Sequence, residues 1–173
     1  MRRACALLCA LLCCSTTGRA STLPPIQPVP HVDLPRFMGQ WHLIAAIPTA
    51  FERDAWHPVE TYALQPDGRI GITFRFNKGA ADGPLKQIHT TASVHPDSGG
   101  AVWSVQVFWP LKAQYVVAWL KPDYSEMIVA RDARDYAWVF TRSPSVSDAE
   151  WAALQAKVAA LGYDMSKLRR FQQ

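Results

Sequence analysis

Asp33-Leu34-Pro35-Arg36-Phe37-Met38-Gly39-Gln40-Trp41-His42-Leu43-Ile44-Ala45-Ala46-Ile47 is the stretch on which the fold turns. Pro35 marks a turn, Gly39 leads out of it, and Trp41, Leu43, Ala45 and Ile47 alternate along the strand that follows. A period of two places these four on one face and His42 on the other. Trp41 comes first, and a buried indole needs a partner for its N–H. A Trp at the start of a first strand therefore reads as a plug at one end of a core.

Its counterpart lies near the other end of the chain. Tyr136, Trp138, Phe140 and Arg142 alternate in the same way, so Arg142 leaves its strand on the aromatic face. A guanidinium stacks on indole, and its fork of donors closes off backbone carbonyls. Trp41 and Arg142 thus read as structural, together sealing a floor. Between them run short segments of strand character at 59–64, 70–76, 85–94, 101–109, 114–120, 126–131 and 136–141. Turn signals such as Gln65-Pro66-Asp67-Gly68 and His95-Pro96-Asp97-Ser98-Gly99-Gly100 separate them. Ile70, Ile72, Phe74 and Phe76 share a face, as do Trp103, Val105, Val107 and Trp109, and Tyr115, Val117 and Trp119.

With the first strand this makes eight, and the expected fold is all-β: an eight-stranded antiparallel up-and-down barrel, with a sandwich as the fallback. Closure removes exposed edges, and eight strands enclose room for one small ligand. Residues 48–58 lack periodicity and read as a long loop. Ser147-Asp148-Ala149-Glu150 is a capping box, followed by Trp151, Leu154, Val158 and Leu161 at helical spacing and a stop at Gly162. This C-terminal α-helix is expected to flank the barrel wall, and residues 168–173 to add an edge strand.

Gly39-x-Trp41 at the first strand with Arg142 after the last resembles the lipocalin signature. Lys121-Pro122-Asp123-Tyr124 is similar to that family's second motif. Phe51-Glu52-Arg53, Arg134-Asp135-Tyr136-Ala137-Trp138, Thr141-Arg142-Ser143-Pro144 and Gly162-Tyr163-Asp164-Met165-Ser166-Lys167 bring the resemblance closest to the bacterial (outer membrane lipoprotein) lipocalins, over nearly all of the chain after residue 30. The resemblance implies Gly39, Trp41, Asp123, Tyr124 and Arg142 as structural signature residues. It implies Tyr115 and Trp138 as cavity-lining residues for a fatty acid or lysophospholipid. Phe74, Phe76, Trp103, Trp109 and Trp119 join them as candidates from alternation, each also serving simply to fill a barrel. The implied function is non-enzymatic carriage of such a lipid, for transport or storage in the bacterial envelope, by a monomer or homodimer. Where many bacterial lipocalins have Trp-Tyr-Glu-Ile-Ala-Arg, this chain has Trp41-His42-Leu43-Ile44-Ala45-Ala46, which alters the polarity expected at the rim.

Other chemistries find little footing. There is no Gly-x-Ser-x-Gly elbow, no phosphate-binding Gly loop and no His-Glu-x-x-His, and His31, His42, His57, His89 and His95 are too scattered for a metal site. No cofactor or metal is expected. Asp132 and Asp135 read as solvated turn charges beside Arg131 and Arg134. A lipocalin-fold enzyme would need an interior acid or base, for which Glu60 and His89 are the places to look. A ligand-free envelope module is the third class.

Residues 1–20 have the layout of a secretory signal: Arg2 and Arg3, an apolar run, then small and polar residues. Two endings compete. Gly18-Arg19-Ala20 offers a soluble release at Ser21, whereas Leu11-Leu12-Cys13-Cys14 is an imperfect lipoprotein box that would make Cys14 the acylated residue and anchor the protein to a membrane. The expected destination is the periplasm or the periplasmic face of the outer membrane. All four cysteines lie in this segment, so a processed domain has no disulfide. Removing Arg2, Arg3 and Arg19 leaves 15 basic against 14 acidic residues, which takes away the clustered charge a nucleic-acid partner requires. Residues 21–32 are Pro-rich and read as an extended linker ahead of a domain at 33–173.

Overall fold

The structure, a computed structural model, describes residues 23–173; the signal segment, both of its competing endings and Cys14 lie outside the described residues. From the one-turn helix α1 (Leu34–Phe37) the chain passes into β1 (Gly39–Ile47), β2 (Ala55–Leu64), β3 (Ile70–Lys78) and β4 (Leu85–Val94). β5 (Val102–Phe108), β6 (Leu111–Leu120), β7 (Glu126–Ala130) and β8 (Ala137–Thr141) follow. Each strand pairs antiparallel with the next, and β1 pairs with both β2 and β8, so the eight close into an up-and-down barrel. Helix α2 (Asp148–Ala160), a 3-10 turn (Met165–Lys167) and a two-residue β9 (Arg169–Arg170) complete the fold.

Bulges decide which side chains face inward. β1 changes register between Leu43 and Ala45. Trp41, Leu43 and Ala46 consequently belong to the inner core, while Ala45 and Ile47 turn outward beneath α2. The four-residue face expected from strict alternation is therefore split. The same happens in β6, where a shift between Val117 and Trp119 keeps Tyr115 and Val117 inside and sends Trp119 out under Lys157 of α2, its Nζ 4.5 Å from the ring. One extra residue inverts every later side chain on a strand.

Barrel closure leaves carbonyls on β1 to be satisfied. β2 pairs with β1 only from Gly39 to His42, because β2 carries its own irregularity between Trp56 and Val59, where His57 has φ +50° and Pro58 brings no N–H. The C-terminal tail takes over: Gln173 Nε2 donates to Leu43 O (2.7 Å) and Phe171 N to Ile44 O (2.8 Å). The expected edge strand thus fills the gap left by β2, as buried carbonyls require. β2 itself begins at Ala55, inside the stretch expected to be loop.

The outer wall is covered twice. Leu154 and Val158 of α2 bury against Val116, Ile128, Ala137 and Val139, and the Ser147–Glu150 capping box forms as expected. Gly162 ends the run with φ +85°, a conformation glycine adopts freely. The Pro-rich segment is a strap rather than a free linker. Ile26 N donates to Asp132 Oδ1 (2.7 Å), Val29 N to Val117 O (2.9 Å) and Val32 N to Gly99 O (2.8 Å). The spacing of three is that of a polyproline-II helix, so Ile26, Val29 and Val32 share the protein-facing side. Asp132 is accordingly no solvated turn charge: it also accepts from Gln114 Nε2 at 2.7 Å.

Candidate functional site

The barrel interior divides into a packed floor and an open cavity. At the floor, Trp41 is fully buried and its Nε1 donates to Phe37 O (2.8 Å). Arg142 lies over the Trp41 ring at 3.9 Å and donates to the carbonyls of Gln40 (2.7 Å), Arg36 (2.9 Å), Phe37 (3.0 Å) and Met38 (2.9 Å). Gly39, at φ +96°, lets this guanidinium approach: a Cβ there would stand 3.4 Å from Nη1. Asp123 accepts from Ser125 N (2.9 Å) and Oγ (2.6 Å), which holds its carboxyl below the usual range and shapes the turn. Tyr124 Oη accepts from Asp33 N (2.8 Å), tying that turn to α1. All five expected signature residues meet at this end.

Above Trp41 an aromatic stack fills the barrel. Phe37 touches Trp103 (5.1 Å between ring centroids) and Tyr62 (5.4 Å), and Trp103 lies flat on Tyr115 (4.6 Å, 2° between planes). Trp103 is fully buried in this stack with its indole N–H on Gly100 O (2.7 Å), and does not line the cavity. Phe76 packs on Phe74 (5.0 Å) in the inner core, also away from the lining.

The remaining interior is a cavity of about 480 Å³, inside the roughly 300–1,000 Å³ of small-molecule sites. Of the expected residues, Tyr115, Trp138 and Phe74 line it. Trp119 is outside the barrel because of the β6 register shift, and Trp109 is 86% exposed on the β5–β6 hairpin. Ile72, Ile88, Val105 and Phe140 complete the apolar wall. The mouth carries Phe51 and Leu111, 52% and 54% exposed, beside Lys112 and Arg131. Arg131 Nη1 pairs with Asp135 (3.2 Å), while its Nε is buried with no hydrogen-bond partner among the described residues.

Two carboxyls also face the cavity. Glu52 accepts from Thr49 N (2.7 Å) and from the Thr49 hydroxyl, and Trp138 Nε1 donates to it (3.2 Å), so it pins the β1–β2 loop against β8. Glu60 lies on β2 opposite Trp41 and Phe74, next to the floor. Tyr62 donates to Glu60, and the Tyr62 and Tyr115 hydroxyls are 2.8 Å apart. Burial pushes the Glu60 carboxyl up to about 7, against the lowering effect of the Tyr62 hydrogen bond and with a further push from the Glu52 charge. Burial likewise drives the Tyr62 and Tyr115 hydroxyls well above their usual range, and the Glu60 charge adds to it. Glu60 was legible as an interior acid; His89 is exposed and pairs with Thr73 Oγ1 (3.1 Å) outside the barrel. Glu52 and Arg131 were not anticipated. Glu52 stands in the Phe51-Glu52-Arg53 motif and three residues after Thr49, but neither signal shows that it faces the cavity, and Arg131 reaches the mouth through a turn.

Comparison with known proteins gives one consistent answer. The family profile of the lipocalin-like domain matches residues 32–173. The outer membrane lipoprotein Blc of Escherichia coli K12 is 30% identical over 158 residues, covering 89% of this chain and 88% of that protein. Temperature-induced lipocalin-1 of Arabidopsis thaliana is 27% identical over 154 residues, covering 84% and 81%. Among solved structures, insecticyanin from the tobacco hornworm Manduca sexta superposes with a TM-score of 0.66 at 17% identity, over 87% of this chain and 85% of that one, a likeness of fold.

Proposed function

Since the chain belongs to the lipocalin family and is a lipocalin-type binder of small hydrophobic ligands, we propose that its cargo is a fatty acid or lysophospholipid, carried without chemical change. The observation that carries this reading is the 480 Å³ cavity, apolar along its walls and open at a mouth where Lys112 and Arg131 stand. An acyl chain inside would gain about 0.8 kcal/mol per buried methylene. A sixteen-carbon chain thus offers about 13 kcal/mol before ordering costs, where micromolar binding needs about 8. The anionic head group would rest against the two cations at the mouth.

The relatives named outer membrane lipoprotein support an envelope location. We place this protein there too, in the periplasm or on the outer membrane, storing or moving lipid. Glu60 favours a second reading, an isomerase-type lipocalin, because a carboxyl titrating near 7 in a cavity suits a general base. The hydroxyls beside it, Tyr62 and Tyr115, have their protons engaged, and the other cavity carboxyl, Glu52, is held by Thr49 and Trp138, so the carrier reading is preferred.

Native mass spectrometry of the protein purified from a bacterial host, followed by lipid extraction and titration with lysophospholipid, tests the proposal. A co-purifying acyl lipid, recovered unchanged, and Trp quenching that saturates near one equivalent are expected. A bare mass with no response to fatty acid or lysophospholipid overturns it, and a chemically altered lipid favours the enzyme.

A further inference from the structure

Glu60 is the group in the cavity that an all-hydrocarbon ligand leaves unsatisfied. It stands at the deep end, with Tyr62, the next inward-facing residue of β2, in the floor stack. Proton counting shows what it lacks. Tyr62 gives its single hydroxyl proton to Glu60 Oε2, so the 2.8 Å contact between the two tyrosines must use the Tyr115 proton. The relay Tyr115 to Tyr62 to Glu60 then ends on the carboxyl, and Oε1 has no donor among the described residues. The titratable groups around it are Tyr62 on its own strand, Tyr115 from β6 and Glu52 from the β1–β2 loop, none of them basic. Its strand neighbours, Trp41 and Phe74, bring no charge.

A plain methylene chain pressed against this carboxyl would strip its water and offer nothing in return, at the penalty of an unsatisfied buried acceptor. A hydroxyl at the same depth supplies the missing donor. We propose that Glu60 makes the cavity select acyl chains that carry a hydroxyl group on their distal half, the half that reaches the floor, over unsubstituted chains. This rests on the carrier reading, with the head group at the Lys112–Arg131 mouth. A hydroxyl both donates and accepts, so it suits Glu60 in either protonation state. An unsubstituted chain suits only the protonated form, so its affinity falls as pH rises through about 7, while that of the hydroxylated chain holds.

The test displaces a bound fluorophore, N-phenyl-1-naphthylamine, from the purified protein at pH 8. The competitors are hexadecanoate and its 3-, 12- and 16-hydroxy derivatives. A distal derivative, 12- or 16-hydroxy, should bind about tenfold tighter than hexadecanoate, as one hydrogen bond to a charged group provides. The 3-hydroxy compound, whose hydroxyl stays near the mouth, should match the parent. Glu60→Leu should abolish the distal advantage and tighten hexadecanoate, whereas Glu60→Gln, still an acceptor, should keep part of the advantage; melting curves establish that both variants fold. Equal affinities for all four compounds, or a distal advantage undiminished in Glu60→Leu, overturn the inference alone. Displacement by none of them overturns the carrier reading with it.

Discussion

At the closed end of the barrel, Arg142 donates to the carbonyls of Arg36, Phe37, Met38 and Gln40, and Trp41 finds both a ring partner and an acceptor. Within the cavity, Glu60 Oε1 and Arg131 Nε go without a partner among the described residues, and at its mouth Phe51 and Leu111 remain more than half exposed. The same eight strands build both regions, so strand propensity cannot separate them. What differs is whether donors and acceptors are matched within the chain. Matched groups make a plug; unmatched groups beside an empty apolar volume make a site that something else completes.

The largest expected effect breaks the plug. Trp41→Ala should cost about 3–5 kcal/mol, the usual range for a fully buried aromatic, read by denaturant unfolding. If that variant unfolds at nearly the wild-type denaturant concentration, the floor is not what holds the barrel shut. Next comes the unmatched carboxyl. Glu60 is raised from 4.5 to about 7 in the folded state, so the folded protein holds its proton more tightly than the unfolded chain. The contribution of this group to stability should therefore be full below pH 4.5, fall between 4.5 and 7, and level off above, a loss of up to about 3 kcal/mol. Comparing wild type with Glu60→Gln across that window isolates the slope, which the variant should lack.

Arg142→Ala should cost about 2 kcal/mol through lost hydrogen bonds and ring stacking, and leave the ranking of ligands unchanged. A variant that melts normally but binds different lipids would move Arg142 from the floor to the site. The smallest effect on stability belongs to the rim. Phe51→Ser, at a half-exposed position, should shift unfolding by less than about 0.5 kcal/mol and weaken acyl-lipid binding severalfold in a fluorescence titration. Strong destabilisation there would show the rim to be packed core, and the contrast between the two ends would fail.

The closed end was readable in advance because its parts announce themselves locally. Gly39-x-Trp41, Asp123-Tyr124 and Arg142 each occupy a strand end or turn, where residue identity and geometry are tightly linked. The cavity lining was readable only in part. Tyr115, Trp138 and Phe74 lie on strands that keep their alternation up to those positions, whereas Trp119 comes after a bulge that no residue type around Val117–Trp119 signals. Trp103 faces inward as expected, yet its depth along the barrel, set by strand stagger, puts it in the floor. The Pro-rich segment misled for another reason: composition shows a chain that will be extended, not what it lies against.

By itself the sequence determined eight strands, the all-β class and the flanking helix, because period-two patterning, turn residues and a capping box are encoded within a few neighbouring positions, and its short motifs carried the resemblance that pointed to the family and the floor residues. Tertiary structure alone decided where the bulges fall, and with them which side chains see the cavity. It alone brought Glu52 and Arg131 to the mouth and left Glu60 one donor short. Those outcomes depend on pairing between strands and on counting partners across the barrel, and no local stretch of chain contains that count.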